Sequence, residues 1–163
     1  MLRSGGAETR RWKLKHWENP LTQSYDPGNV FARILRGEAP CVKVYEDEAA
    51  LAFMDVMPRA EGHVLVVPKV PARGLFDIAP EMLAHLMPAV QKVAKAVMAG
   101  LKAEGIIIQQ LNEVASGQQV FHLHFHVLPC WTGVPIRPPG GPFQNADALR
   151  QQAENIIAAL GAG

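Results

Sequence analysis

Paired cysteines, a strong charge imbalance and long apolar runs are all missing from this chain. Cys41 and Cys130 are the two cysteines among 163 residues, far apart and without a C-x-x-C pair. That usage excludes a disulfide framework and fits free thiols in a reducing compartment, so a cytoplasmic location is expected. Lysine and arginine number 16 against 15 aspartates and glutamates, a net charge of +1. A module built to grip a polyanion shows a clearer basic excess, so no nucleic-acid partner is expected. No stretch approaches the roughly 18 consecutive apolar residues that cross a bilayer, and no membrane partner is expected either. No internal repeat is present.

The length and an apolar content of 48% suit one globular domain with a substantial core. Residues Met1 to Gly28 differ from the rest: Arg3, Arg10, Arg11, Lys13 and Lys15 outweigh Glu8 and Glu18. They carry no apolar core of a secretory signal, and they read as a flexible basic arm over 1–28. Asp26-Pro27-Gly28-Asn29 is a cap signal for a helix over Val30–Arg36, with Gly37 as its stop. Val42 to Tyr45 and Ala49 to Met54 read as a hairpin around Glu46-Asp47-Glu48. His63-Val64-Leu65-Val66-Val67-Pro68 reads as a strand covered on both faces.

Pro80 opens a helix whose apolar stripe runs from Leu83 to Leu101, and Pro88 inside it predicts a bend or a split. Ile106 to Leu111 reads as a strand, followed by a loop over Asn112 to Gln119. The Pro/Gly-rich stretch from Pro135 to Pro142 is expected to be irregular. Asn145 or Asp147 caps a closing helix with Leu149, Ala153, Ile156, Ile157 and Leu160 on its apolar face.

The chemistry concentrates in Phe121-His122-Leu123-His124-Phe125-His126-Val127-Leu128-Pro129. Strict alternation is the period of a strand, with imidazoles on one face and apolar side chains on the other. At the strand rise, successive histidines stand roughly 6.6 Å apart. Like charges so placed depress one another's pKa, leaving a neutral imidazole able to attack while a neighbour donates hydrogen bonds. Phosphorus chemistry needs that division of labour. Asn112, Ser116, Gly117, Gln118 and Gln119 add amides, a hydroxyl and close backbone approach beside the strand. The competing reading is metal, since H-x-H on a strand can give two nitrogens to zinc or iron. Glu113 is the one nearby carboxylate in that loop.

These residues resemble the histidine triad family, in particular its nucleotide-binding branch of bacterial type. His122-Leu123-His124-Phe125-His126-Val127-Leu128 fits the His-x-His-x-His signature, and Gly117-Gln118-Gln119-Val120 resembles the family's lead-in. The segments Val30–Pro40, Phe53–Val56 and Gly62–Lys69 are similar to its opening helix and central strands. The resemblance implies an α+β fold: an antiparallel sheet with a long helix packed on it, the sheet extended by dimerisation. The domain would cover 29–134, with 135–163 as a Pro/Gly-rich segment and C-terminal helix.

It further implies a purine nucleotide substrate cleaved at the α-phosphorus, as by a nucleoside phosphoramidase, with no cofactor and no metal. His124 would form a nucleotidyl-histidine. His122 and His126 would orient and bind phosphate oxygens, and His63 would support them. Asn112 and Gln118 would hold phosphate and ribose, with backbone from Gly117, Gln119 and Val120. Asp55 would take the ribose hydroxyls, and Val30, Phe31, Ile34, Phe53 and Val56 would wall the base. The alternatives are a dinucleoside polyphosphate hydrolase of the same family, or a nucleotide-binding regulatory or scaffold protein. The chain departs from the family where Pro71 replaces a histidine of Pro-Lys-x-His, where Gln119 replaces a small hydroxyl residue, and where Cys130 replaces arginine. The C-x-x-C of zinc-binding members is absent.

Overall fold

The computed structural model describes residues 24–161. Apart from Ser24–Gly28, the expected basic arm lies outside the described residues. The elements are α1 (Val30–Leu35), β1 (Lys43–Glu46), β2 (Ala50–Met54), β3 (Val64–Pro68), α2 (Pro80–Gly100), β4 (Gly105–Gln110), β5 (Phe125–Cys130) and α3 (Ala146–Gly161). A short 3₁₀ turn, Val114–Ser116, lies between β4 and β5. The strands form one antiparallel sheet in the order β1-β2-β3-β5-β4, the α+β architecture expected. No helix among the described residues is long and apolar enough to cross a membrane.

The alternation of β2 and β3 sorts side chains onto two faces, and both strands are buried throughout. Ala50, Ala52, Met54, Val64 and Val66 face α2 and α3, together with Leu123, Phe125 and Val127. Leu51, Phe53, Leu65 and Val67 face the other way and pack against Phe31 of α1. His126 stands opposite Leu65 in the β3–β5 register, so it belongs to the α1 face. The two-faced sheet thereby separates the main core from the side that carries the imidazoles.

Local signals explain the helices. The Asn29 side chain accepts the Ala32 N–H at 2.9 Å and starts α1. Pro80 sits in the first turn of α2, where its missing N–H costs nothing. The split expected at Pro88 does not occur. Ala84, whose carbonyl loses its helical partner, and Pro88 are both exposed, so water takes the unpaired group. Asn145 caps α3 by accepting the Asp147 N–H at 2.8 Å. Leu149, Ala153 and Ile156 of α3 are buried, whereas Ile157 is not.

The seam between α2 and α3 depends on a glycine. A Cβ at Gly100 would lie 2.5 Å from the Asn155 carbonyl oxygen, closer than any contact the backbone tolerates without shifting. Gly100→Ala should therefore destabilise the fold by about 1–3 kcal/mol in urea denaturation. Gly105→Ala, where an added Cβ meets nothing within 4 Å, should stay within about 0.5 kcal/mol. Equal losses in the two variants would contradict this packing account.

Candidate functional site

The histidine run does not enter the sheet whole. β5 begins at Phe125, so His126 is the one triad histidine inside the ladder, and His122 and His124 lie in the bend before it. The Leu123 N–H donates to the Ala72 carbonyl at 2.7 Å instead of to β3. The alternation of faces nonetheless persists: Leu123 and Phe125 are core, and the His124 and His126 rings meet edge to face at 4.8 Å between centroids. That is closer than the backbone spacing suggests, because the rings lean toward one another.

Each imidazole has defined partners. His124 Nδ1 is 2.7 Å from the His122 carbonyl oxygen. A carbonyl only accepts, so Nδ1 carries the proton and Nε2 keeps a lone pair. His122 Nε2 donates to the Pro68 carbonyl at 2.9 Å, which leaves Nδ1 to accept the Tyr25 hydroxyl at 2.7 Å. His63, fully buried, stacks on His126, with its Nε2 2.9 Å from His126 Nδ1. Its Nδ1 meets the Arg59 N–H at 3.3 Å and Asp55 Oδ2 at 3.1 Å.

The chain Asp55–His63–His126 has two proton arrangements. With Asp55 ionised, protons point toward it and His126 Nε2 presents a lone pair. With Nδ1 of His63 accepting, they point the other way and His126 Nε2 becomes a donor. Among the described residues His126 Nε2 is buried without a protein partner, which suits either role toward a ligand. Among the described residues, Asp55, His63 and His126 also offer one ligand atom each within 4.8 Å of one another, a set that could hold a metal ion.

Burial keeps all four imidazoles neutral. It holds His63 down to about 2 and His126 down to about 3, with the neighbouring charge of His126 or His124 adding to the effect. Burial also lowers His122 and His124. Mutual repulsion, expected from the sequence as the main cause, is secondary. Burial raises Asp55 in the opposite sense.

One cavity collects most of the expected residues. Val30, Phe31, Ile34, Phe53 and Val56 line it, with Asp55, Gly117, Gln119, Val120, His124 and His126. Phe31 packs edge to face on both Phe53 and His124. His63, His122, Asn112 and Gln118 stand behind this lining. The His122 nitrogens are engaged as described. The Asn112 side chain accepts the Leu75 N–H and exchanges hydrogen bonds with Gln110. Gln118 accepts the Glu113 N–H and donates to the Arg73 and Val120 carbonyls. His122, Asn112 and Gln118 thus stand outside the cavity lining and hold hydrogen bonds of their own within the protein, with one N–H of Asn112 Nδ2 left over.

The loop before the histidines is held under strain. Glu113 adopts φ 66 and ψ 167, a region that side chains avoid, at a cost of order 1–3 kcal/mol. Its carboxylate takes a two-pronged ion pair from Arg73 at 2.7 and 2.8 Å, and Arg73 stacks over Phe121. Gly117 supplies the left-handed turn, φ +96, that returns the chain to the triad.

Several contributors escaped the sequence reading. Tyr25 fell within the basic arm, and one sequence carries no signal that it returns to His122. Pro139 and Gly140, in the irregular stretch, line the cavity. That strap is tied down by Arg137 N–H to the Arg59 carbonyl and Gln144 N–H to the Val56 carbonyl. Arg59 also lines the cavity; its position four residues before His63 across a tight Glu61-Gly62 turn was the available clue.

Because the folded-state values of His63 and His126 lie below the ordinary 6.5, the unfolded chain binds more protons once pH falls under 6.5. Stability is then fully present above that pH and is lost with acid, by about 1.4 kcal/mol per pH unit for each group. Urea midpoints at pH 7, 6 and 5 should fall accordingly, and His63→Asn should flatten the slope. A slope unchanged in that variant would show that His63 is not held neutral.

Comparison with known proteins accords with this geometry. The HIT domain family matches residues 36–132. The adenosine 5'-monophosphoramidase of Schizosaccharomyces pombe is 35% identical over 119 residues, covering 67% of this chain and 86% of that one. The adenylylsulfatase of Arabidopsis thaliana is 34% identical over 100 residues, 61% of this chain and 51% of that one. The crystal structure of a HIT-like protein involved in cell-cycle regulation from Bartonella henselae superposes with a TM-score of 0.80 at 45% identity, covering 84% of this chain and 99% of that one. With its signature, its fold and these relatives in agreement, the chain belongs to the histidine triad family.

Proposed function

We propose that the protein is a nucleotide hydrolase or transferase acting at the α-phosphorus of a purine nucleotide, in the manner of a nucleoside phosphoramidase. The observation that carries this reading is the hydrogen bond from His124 Nδ1 to the His122 carbonyl. It leaves Nε2 as the lone-pair nitrogen of a neutral, cavity-lining imidazole, the state a nucleophile needs at neutral pH.

In this reaction Nε2 of His124 attacks the α-phosphorus, a P–N bond forms and the bond to the leaving group breaks. Water then cleaves the nucleotidyl-histidine, releasing nucleoside monophosphate and restoring the imidazole. His126 Nε2 faces the reacting group, and the Asp55–His63 chain behind it can pass a proton in either sense. That relay takes over the donor role that Pro71 cannot fill. The apolar walls Val30, Phe31, Ile34, Phe53 and Val56 sandwich the base, and the Asp55 carboxyl meets the ribose hydroxyls. Gly117, Gln119 and Val120 supply backbone to the phosphate. His122, Asn112 and Gln118 act behind this layer: His122 orients His124 through its carbonyl, and the two amides hold the loop. The relatives named for phosphoramidate and adenylyl sulfate cleavage support this reading.

A homodimer is part of the proposal. β4 ends the sheet, and Ile107 and Ile108 on it are 44% and 43% exposed. Met87 and Met98, on one stripe of α2, are also exposed. A second copy laid against this edge would cover all four.

Incubation with a slowly hydrolysed adenylate should label His124, and His124→Ala should lower turnover by at least about 10³-fold while nucleotide still binds. Full activity in that variant would overturn the nucleophile assignment; binding without any labelling or turnover would favour the regulatory reading. Sedimentation should find dimers, and Ile107→Lys should yield monomers; unchanged sedimentation would remove β4 from the interface.

A further inference from the structure

The cavity is apolar along most of its wall but has one cationic corner. Arg59, from the segment joining β2 to β3, lines it together with His124 and His126. Neutral acceptors alone hold its guanidinium: Nε donates to the Arg137 carbonyl at 3.0 Å, and Nη1 to Gln109 Oε1 at 2.6 Å. Gln109 stands opposite His126 in the β4–β5 register, so this anchor fixes the guanidinium on the triad's side of the sheet. Among the described residues Arg59 forms no ion pair.

The surroundings leave that charge largely uncompensated. Arg137, which exchanges two hydrogen bonds with Arg59, is a second cation. Both arginines disfavour a charge on His63, and Arg59 does the same for His126. The carboxyl within range is Asp55, which burial pushes toward its neutral form against the opposing pull of the Met57 N–H, accepted by Oδ1 at 2.8 Å, and of Arg59 itself. A half-buried guanidinium with neutral acceptors and spare N–H groups is matched in shape and charge to a tetrahedral oxyanion. In the reaction proposed above, His124, His126 and the loop backbone serve the α-phosphate without calling on Arg59.

We propose that Arg59, held in position by Arg137, forms a subsite for a second oxyanion of the nucleotide, a phosphate or sulfate additional to the α-phosphate. The inference rests on the nucleotide reading of the cavity and names its substrate class: nucleotides bearing two anionic groups, in preference to phosphoramidates of neutral amines. The second group is bonded either to the α-phosphate or to the ribose.

Equilibrium binding to the full-length His124→Ala protein tests this without turnover, using AMP, ADP and adenosine 3',5'-bisphosphate in calorimetry. Either ADP or the bisphosphate should bind roughly tenfold or more tightly than AMP. Whichever does so reports where the group is attached. Arg59→Gln on the same background should abolish that gain, and Arg59→Lys should restore part of it. The subsite is overturned if neither ligand gains over AMP, or if the gain survives Arg59→Gln. It is equally overturned if that variant weakens all three ligands by one common factor, the behaviour of a residue that merely clamps the strap. Failure of the nucleotide reading looks different: none of the three ligands would bind. Failure of the hydrolase reading alone would leave the binding ratio intact while the unsubstituted protein turned over no substrate.

Discussion

A single backbone carbonyl, that of His122, decides which nitrogen of His124 carries its proton. The rest of the site is arranged so that this carbonyl stays where it is. Leu123 is pinned by Ala72, the His122 ring by Tyr25 and Pro68, and the preceding loop by Arg73, Glu113 and Gln118. None of these groups needs to touch a ligand to matter. A drift of the peptide at 122 would let the His124 ring rotate, and its lone pair would turn away from the cavity.

The energetics of the site run in one direction. Four imidazoles are taken out of water, and each would resist protonation even without its neighbours. Neutral rings are weak acids and good nucleophiles, so burial favours attack and makes proton delivery the harder task. The half-buried carboxyl of Asp55, shifted the opposite way, sits at the far end of the hydrogen-bonded chain that reaches His126 through His63. Raising the carboxyl and lowering the imidazoles brings their proton affinities closer together, which favours moving a proton between them.

Much of this was legible in the sequence, for identifiable reasons. Alternation at 122–127 located the imidazole face, the all-apolar run at 64–68 located a central strand, and Asn29, Pro80 and Asn145 marked helix starts. These signals act within a few residues. The internal hydrogen bonds of His122, Asn112 and Gln118 were not legible, because sequence shows which groups a residue has and not which of them are bonded within the fold. Tyr25, Arg59, Pro139 and Gly140 were missed for a related cause. Their contributions come from chain segments far apart in number that meet only after folding. At Pro88 the helix runs on unsplit, because the exposed side of a helix forgives the lost bond.

The strap from Arg137 to Gln144 belongs to the same polypeptide as the triad it covers. Its two ties, Arg137 N–H to the Arg59 carbonyl and Gln144 N–H to the Val56 carbonyl, fasten Pro139 and Gly140 to the segment that joins β2 to β3. Any displacement of that segment would therefore move two walls of the cavity together, so that its width is set by one hinge and not by two independent loops.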